Sequence, residues 1–537
     1  MKYKSALLSD MVKRVTDTLT GAAVILALLM LLFRVLTHFP FFDETIHVHY
    51  LWSLSEGLRP GKDFLSVYPV LAYLLTLPFM SMFPDSAFII LGLRSLSVVI
   101  IMLIGVIFYL HGRRVSREWQ AALLAFLLVV KAPGVGTFFS EYSIDHAAAL
   151  AAFGAMVLFF SEPRLRSLAL ASALSVLSVA ITPKYPIVLF FGMLGYLLAY
   201  FLARRRAGVA IAVVASAGVA VVAGVVLVYG MTGTSLLENF RHSLVLQYRW
   251  NAAHAGFGFQ GRGEILGVAV IEFLIDNPLF GIAVLLGVAG WAKRSWRNPD
   301  ATSLGGAGIL LGTLASSFLI KDYLPQYIAP KALCLALFVP YAIFLVRSPG
   351  GARMVSFALA VATLVTLSAR LGITAQRFEE VPFNARAVTT TSKRVQGKIS
   401  IVPTGILTLS DYDELLDIIP EGERVVAVWP FHPIFRRDQT KIGYDEGYDA
   451  RLSFFHSLSP GDPYRQLFDP AYFRESMERR PPAMICTDRL ENNYPPGWKR
   501  EAEAFLASHK ELYVLKRTRM FESWIRKDLM DGARKTW

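Results

Sequence analysis

Long apolar runs, interrupted by short polar connections, fill the first two-thirds of the chain. Runs of about 18 residues or more are long enough to cross a hydrocarbon core of about 30 Å as helices. The pattern therefore predicts a polytopic α-helical membrane protein with about eleven transmembrane helices. The predicted spans are residues 19–38, 86–110, 119–136, 144–160, 167–183, 185–203, 207–230, 268–291, 302–320, 324–346 and 352–371.

After residue 371 the long apolar runs end and shorter patterns follow. The segments "RVVAVWP", "AMICT" and "LYVLK" predict short strands, and "DPAYFRESMERR" and "GWKREAEAFLASHKE" predict helices. We therefore divide the chain into a membrane core, residues 1–371, and a small α/β domain, residues 372–537.

The distribution of basic residues predicts the orientation. The N-terminal segment and every second connection ("HGRRVSRE", "SEPRLR", "ARRR", "AKRSWRNPD", "VRSPGGAR") are rich in Lys and Arg, whereas the opposite connections carry fewer over a greater length. The positive-inside rule then places the N-terminus in the cytoplasm of a plasma (inner) membrane. The loops 39–85 and 231–267 and the α/β domain are predicted to be extracytoplasmic. The first apolar run lacks a small-x-small cleavage site and is predicted to stay as a spanning helix.

Composition supports the membrane class. The chain is 54% hydrophobic and 18% charged, against about 25% charged in soluble domains. The net charge of +13 does not predict a nucleic-acid partner, because the basic residues lie between apolar segments, where they orient helices. Cys334 and Cys486 fall in a span and in the polar tail, so neither a disulfide nor a cysteine metal site is predicted.

Ionisable residues recur at one predicted depth, the outer third of the membrane. Taken singly, each could be a helix-end residue that reaches water or a partner in a structural ion pair. A charge within a span is nevertheless expensive and indicates a functional site. The shared depth predicts one polar cavity that opens outward. The residues are Asp43, Glu44, Arg94, Asp145, His146, Lys184, Lys321 and Asp322.

Lys and Arg beside an apolar bundle suit the phosphate of a membrane-dissolved lipid. A nearby carboxylate could deprotonate an acceptor hydroxyl while the cations stabilise the departing phosphate. This set of groups is what glycosyl transfer from a lipid phosphate requires.

An ordered set of motifs resembles the GT-C superfamily of integral membrane glycosyltransferases, nearest to the branch of protein O-mannosyltransferases and the lipid A aminoarabinose transferase. The motifs are "DETIHVHYLWSLSEGLRPGKDFLSVYPVLAYLL", the spanning Arg94, Asp145 in "EYSIDHAAAL", Lys184 in "AITPKYP", and "LPQYIAPKALCLAL". The likeness covers residues 19–371 in order. In two respects the chain departs from the family: "SVYP" replaces an E-K-P element, leaving Lys62 as a substitute, and the basic or histidine doublets of some members are absent.

The resemblance implies an inverting transfer of a sugar from a polyprenyl-phosphate donor to a glycan, lipid or protein acceptor. We predict Asp43 as the general base, with a helix cap as the alternative role. Glu44 and Asp145 complete the catalytic set, Glu44 orienting the acceptor or holding a cation, and Asp145 positioning the sugar or capping its helix. The predicted phosphate-binding residues are Arg94 and Lys184, followed by Lys62 and Lys321.

Three further points stay open in the sequence: a metal, the residues that line the cavity, and the function itself. A divalent metal, Mg²⁺ or Mn²⁺, could be held by Asp43, Glu44 and Asp145, with nearby histidines as further donors. Several side chains are candidates to line the cavity, although interfacial belts also enrich aromatic residues. They are His47, His146, Tyr68, Tyr323 and Tyr327. A transporter or flippase of a lipid-linked or anionic substrate is the alternative function, and a scaffold for the outer domain is a third.

Overall fold

The structure is a computed structural model that carries helices through the core and a small sheet in the tail. It describes residues 2–37, 42–60, 62–64, 68–80, 86–116, 119–132, 138–182, 184–204, 206–237, 266–297, 300–319, 325–346, 349–376, 404–429, 431–440, 465–488, 490, 497–518 and 522–533.

Fourteen α-helices are described before residue 377. They are α1 Lys2–Thr37, α2 Phe42–Ser55, α3 Leu71–Met80, α4 Ile89–Ser116, α5 Gln120–Val130, α6 Ile144–Phe159, α7 Leu165–Ile181, α8 Pro186–Arg204, α9 Ala207–Met231, α10 Leu266–Asp276, α11 Pro278–Arg297, α12 Ala301–Leu319, α13 Pro325–Ala336 and α14 Pro349–Gln376. Short 3₁₀ helices occur at Phe138–Ser140 and Val339–Leu345. Every predicted span contains a helix, and the protein is a multi-pass helical membrane protein.

The predicted count of spans is only partly matched by helix length. Among the described residues, 6 helices are long and apolar enough to cross a membrane, or 7 when the bent pair α10–α11 counts as one span. That pair is bent by 110° at Asn277, and the predicted span 324–346 divides into α13 and a 3₁₀ helix. The number of eleven therefore stays a prediction. The loop 39–85 contains both α2 and α3.

Glycines allow two core helices to approach closely. A Cβ built on Gly195 of α8 would lie 2.2 Å from the carbonyl oxygen of Leu304, and one built on Gly308 of α12 would lie 2.1 Å from that of Phe191. Such distances are far below van der Waals contact, so only glycine fits at these positions. Close backbone approach through small residues is the usual means by which helices associate in membranes.

The tail forms a five-stranded sheet in the order β2-β1-β3-β5-β4. The strands are β1 Arg424–Val426, β2 Arg437–Asp438, β3 Met484–Ile485, β4 Tyr513–Arg517 and β5 Glu522–Arg526. The first three are parallel, and β5 pairs antiparallel with both β3 and β4. The helices of the tail are α15 Thr404–Leu416, α16 Pro470–Arg479, α17 Trp498–Ser508 and α18 Lys527–Ala533. The predicted strands and both predicted helices are present.

The sheet of the tail has two buried faces, because successive side chains of a strand point to opposite sides. Val426 and Ile485 pack in a cluster with Trp498 and Phe505 of α17. Their neighbours Val425 and Met484 belong to the cluster that continues into the membrane core. The tail is thus packed against the core by one sheet face.

Polar contacts reinforce this junction. Asp438 of β2 accepts hydrogen bonds from Nε2 of His49 on α2, at 3.1 Å, and from Nε2 of His432, at 2.9 Å. Nδ1 of His49 bonds to the carbonyl oxygen of Ile434, a non-glycine residue with φ of 63°. Both ring nitrogens of His49 therefore lie within hydrogen-bond distance of oxygen atoms of the tail. In addition, Asp413 of α15 accepts the backbone N–H of Ala87 at the start of α4.

Candidate functional site

Asp43 and Glu44 lie in the first turn of α2 and face different directions. Successive residues of an α-helix are about 100° apart around its axis. Glu44 is fully buried, whereas Asp43 is half-buried. The two carboxylates therefore meet different environments although they are adjacent in sequence.

Glu44 forms a two-pronged ion pair with Arg94 of α4. Nε of Arg94 donates to Oε1 at 2.7 Å, and Nη2 donates to Oε2 at 2.6 Å. Glu44 also accepts the backbone N–H of Tyr142, and Nη1 of Arg94 donates to the carbonyl oxygen of Val35 on α1. Both side chains are fully buried. This geometry favours a structural role for the pair over the predicted contacts of Arg94 with phosphate and of Glu44 with the acceptor.

A second carboxyl group lies beside this pair. Glu141 is buried just before α6, and burial raises the pKa of Glu141 well above its usual range, with the negative charge of Glu44 adding to the effect. The sequence analysis did not predict that the carboxyl groups of Glu44 and Glu141 lie close together beside Arg94.

Asp145 and Lys184 form the second ion pair of the site. Ser143 caps α6 by accepting the backbone N–H of Asp145, which leaves the Asp145 carboxylate to pair with Nζ of Lys184 at the start of α8. Less than a tenth of either side chain is exposed. Nζ of Lys184 also lies over the ring of Tyr327, 4.8 Å from its centroid. Three predicted site residues are thus brought together from α6, α13 and the turn before α8.

His47 joins α2 to this group. Its Nδ1 is 2.6 Å from the hydroxyl of Tyr73, and its ring lies edge-on to that of Tyr68, with centroids 4.8 Å apart. Burial lowers the pKa of His47 to about 3; the negative charge of Asp145 opposes that effect and the positive charge of Lys184 adds to it. The imidazole is therefore neutral at physiological pH.

Asp43 lies one helical turn before His47 on α2. Residues four apart on a helix are neighbours on one face, with Cβ atoms about 5–6 Å apart. The charges of Asp145 and Lys184 act on His47, and Asp43 lies on the same face of α2 as His47. Hereafter we call Asp43, His47, Asp145, Lys184 and Tyr327 the outer polar cluster.

Lys331 is a candidate that the sequence analysis missed. It lies one turn beyond Tyr327 on α13, is 1% exposed, and its Nζ has no hydrogen-bond partner among the described residues. The signal was available in the sequence, because Lys331 falls inside the predicted span 324–346 and a lysine within a span indicates function. Its position one turn from Tyr327 makes Lys331 a further candidate for the site.

Other predicted residues lie elsewhere. Lys62 is exposed on the turn after α2. The ring of His146 packs edge-on against Phe138, and its Nε2 bonds to the Phe138 carbonyl oxygen at 3.0 Å, so it braces the 3₁₀ turn before α6. Lys321 and Tyr323 lie outside the described residues.

Two of the three proposed metal ligands are paired with cations. Glu44 is engaged by Arg94 and Tyr142, and Asp145 by Lys184. In the part of the chain that the structure describes, there is no group of three His, Cys, Asp or Glu side chains that could hold a metal ion.

Comparison with known proteins supplies structural neighbours only. No protein-family model matches the chain, and no curated protein matches it. The crystal structure of ArnT from Cupriavidus metallidurans bound to undecaprenyl phosphate is similar, with a TM-score of 0.55 and 14% identity over 94% of this chain and 98% of that one. The apo form of ArnT gives a TM-score of 0.56 and 13% identity over the same shares.

The likeness extends over nearly the whole of both chains, tail included. ArnT, the lipid A aminoarabinose transferase, is a GT-C superfamily member. The resemblance drawn from the ordered motifs is therefore confirmed at the level of the fold.

Proposed function

We propose that the protein is a membrane glycosyltransferase that moves a sugar from a polyprenyl-phosphate donor to an acceptor on the extracytoplasmic side. The observation that carries the proposal is the buried Asp145–Lys184 pair, whose charges act on His47, one helical turn from the half-buried carboxylate of Asp43. The fold supports it, because ArnT, which has a similar fold, has been crystallised with undecaprenyl phosphate.

Asp43 is the proposed general base. Its side chain is more exposed than those of Glu44 and Asp145, so an acceptor hydroxyl can reach it more easily. Asp43 takes the hydroxyl proton as the acceptor oxygen attacks the anomeric carbon. The bond from that carbon to the phosphate oxygen breaks, and the phosphate leaves with the electron pair. Attack opposite the leaving group inverts the anomeric configuration.

The lysines of the site are proposed to hold the donor phosphate. Negative charge grows on the phosphate as it departs, and cations in a site of low dielectric stabilise that charge strongly. Lys331 has no partner among the described residues, while Lys184 already has Asp145. We therefore assign Lys331 to direct binding of the phosphate. Lys184 is assigned to contact both Asp145 and the phosphate.

The Glu44–Arg94 pair is proposed to position α2. Its contacts join α2, α4, the Val35 carbonyl of α1 and the Tyr142 backbone. Because Asp43 precedes Glu44 on the same helix, this anchor fixes where Asp43 stands relative to Asp145 and Lys184.

The test is transfer of a radiolabelled sugar from undecaprenyl-phosphate-linked donors to native membranes by purified protein. The variant is Asp43→Asn, and the matched control is Glu56→Gln, an exposed carboxylate just after α2. Loss of a general base lowers rates by about 10²–10⁴-fold, so Asp43→Asn should transfer at a rate lower by that factor, while Glu56→Gln should match the wild type.

Two results would contradict the proposal at different levels. Equal transfer by Asp43→Asn and the wild type would remove Asp43 as the base while keeping the reaction class. No transfer by the wild type, together with movement of the lipid-linked sugar across reconstituted vesicles, would replace the transferase with a flippase.

A further inference from the structure

A group of three cations lies at one end of the bundle, on helices other than those that carry the outer polar cluster. Arg34 is near the C-terminal end of α1, Lys131 directly follows α5, and Arg370 is near the C-terminal end of α14. These three helices pack against one another. The charge of Arg34 acts on both Lys131 and Arg370, so the group places like charges close together. We call it the cation triad.

The triad contains cationic atoms that the described residues do not satisfy. Lys131 is 3% exposed, and its buried Nζ has no hydrogen-bond partner there; the same holds for the buried Nη1 of Arg34. Arg370 is the ordered member, since Nη1 donates to the Lys131 carbonyl oxygen and Nη2 donates to Oδ1 of Asn277 at 2.8 Å. A buried, unpaired ammonium group is destabilising by several kcal/mol.

Capping of helix ends does not account for the triad. Cations near a helix C-terminus interact favourably with the helix dipole, and the bond from Arg370 to the Lys131 carbonyl is a contact of this type. Helix capping leaves Nζ of Lys131 and Nη1 of Arg34 without acceptors among the described residues. Several donors that converge beside one another are the arrangement that binds a tetrahedral oxyanion.

The surroundings of the triad indicate where that anion comes from. Arg34 and Arg370 are half-buried, so the group is not sealed inside the protein. Beside Arg34 on α1, Phe33 and Leu36 are exposed, and Val365 is exposed on α14. Exposed apolar side chains on membrane helices face acyl chains, so a phosphate at the triad would be attached to a lipid.

We propose that Arg34, Lys131 and Arg370 form a binding site for the phosphate headgroup of an anionic membrane lipid. The site consists of residues other than the lysines assigned to the donor, and the proposal does not depend on the transferase activity. It adjoins the anchor of α2, because Val35, next to Arg34, accepts a hydrogen bond from Arg94. A lipid bound at the triad would thus contact the helices that position Asp43.

The test measures binding of defined lipids to delipidated protein by native mass spectrometry and by thermal stability in detergent. The probes are phosphatidic acid, phosphatidylglycerol, zwitterionic phosphatidylcholine and inorganic phosphate. The variants are Lys131→Met and Arg370→Gln, with Lys131→Arg as the charge-preserving rescue. Arg353→Gln is the control, because Arg353 lies in the first part of α14 and pairs with Asp10 instead.

The wild type should bind and be stabilised by the two anionic lipids and not by phosphatidylcholine. Each neutral variant should weaken that binding at least about tenfold, the loss expected for one hydrogen bond to a charged group, while Lys131→Arg and Arg353→Gln retain it. Stabilisation by inorganic phosphate to the same extent would overturn the lipid source. Equal lipid binding by Lys131→Met and the wild type would overturn the site, as would a Lys131→Met protein that is more stable than the wild type at every lipid composition.

Discussion

The buried Glu44–Arg94 pair offers a decisive test of structural against catalytic roles. Sequence reasoning assigned Arg94 to the donor phosphate, whereas the structure gives it two short bonds to Glu44 and one to a backbone carbonyl. We predict that Arg94→Gln destabilises the protein even when no donor is present. The reason is that Glu44 would remain as a fully buried carboxylate with the Tyr142 backbone N–H as its chief partner.

The magnitude follows from the burial of both partners. Removing one member of a buried ion pair costs about 3–5 kcal/mol, because the other charge is left uncompensated. The loss of stability for Glu44→Gln should fall in the same range, since it leaves the charge of Arg94 buried without its carboxylate partner. The double variant Glu44→Gln/Arg94→Gln leaves no stranded charge, so its loss should be smaller than the sum of the single losses by about 0.5–3 kcal/mol.

The assay is the free energy of unfolding in mixed micelles of mild detergent and SDS, measured without substrate. Arg353→Gln serves as the control, because its pair with Asp10 is long, at 3.9 Å, and the Asp10 side chain is exposed. Such surface pairs contribute about 0–1 kcal/mol. The reasoning would be refuted if Arg94→Gln were as stable as the wild type and differed only by a higher KM for the donor. Arg94 would then bind the phosphate, as the sequence had predicted.

Three further predictions concern other parts of the chain. Gly308→Ala should lower the melting temperature and the yield of folded protein, because the new Cβ would lie 2.1 Å from the Phe191 carbonyl oxygen; Gly224→Ala, with open space around it, should leave both unchanged. Asp438→Asn should loosen the tail and increase its cleavage by protease, because the amide cannot accept from two histidines as the carboxylate does. Burial opposes the shift, but the contacts with His432 and His49 hold the pKa of Asp438 below its usual range. The wild type should therefore lose this contribution only as the pH falls below about 4, while Asp438→Asn should lack it at every pH. Lys331→Met should raise the KM for the lipid-linked donor or lower kcat in the transfer assay. It should not destabilise the protein, because Nζ of Lys331 has no hydrogen-bond partner among the described residues. A large loss of stability would contradict the assignment of Lys331 to the phosphate.

Much of the fold could be predicted because the physics of its elements is local. Apolar runs of sufficient length must form helices in a membrane, where every backbone polar group needs an internal partner. The short strands of the tail were readable for a similar reason, since β-branched and aromatic residues were bounded by turn residues. The sequence analysis did not predict the helix α2, because this helix is short and its first turn is polar, as a loop would be.

The candidate site was harder, because depth in the membrane can be inferred from sequence but pairing cannot. Asp145 and Lys184 were expected at one depth, and the structure joins them. Glu44 and Arg94 were also expected at that depth, yet they bind each other across fifty positions of sequence. Which carboxylate meets which cation depends on how helices rotate and tilt, and this is set by contacts such as the glycine-mediated packing of α8 against α12.

The distribution of paired and unpaired cations separates the roles in this core. Arg94 has a carboxylate partner that stays buried, so it can fix α2 but is poorly placed to respond to a substrate. Lys184 is paired with Asp145, in a cluster that also contains the half-buried Asp43. We therefore expect a phosphate to compete with Asp145 for Lys184. The Nζ atoms of Lys331 and Lys131 are buried with no hydrogen-bond partner among the described residues, and a bound anion would offset the burial of each charge. Because these two lysines lie on α13 and at the end of α5, the two proposed lipid phosphates, one for chemistry and one for support, would be bound by different helices.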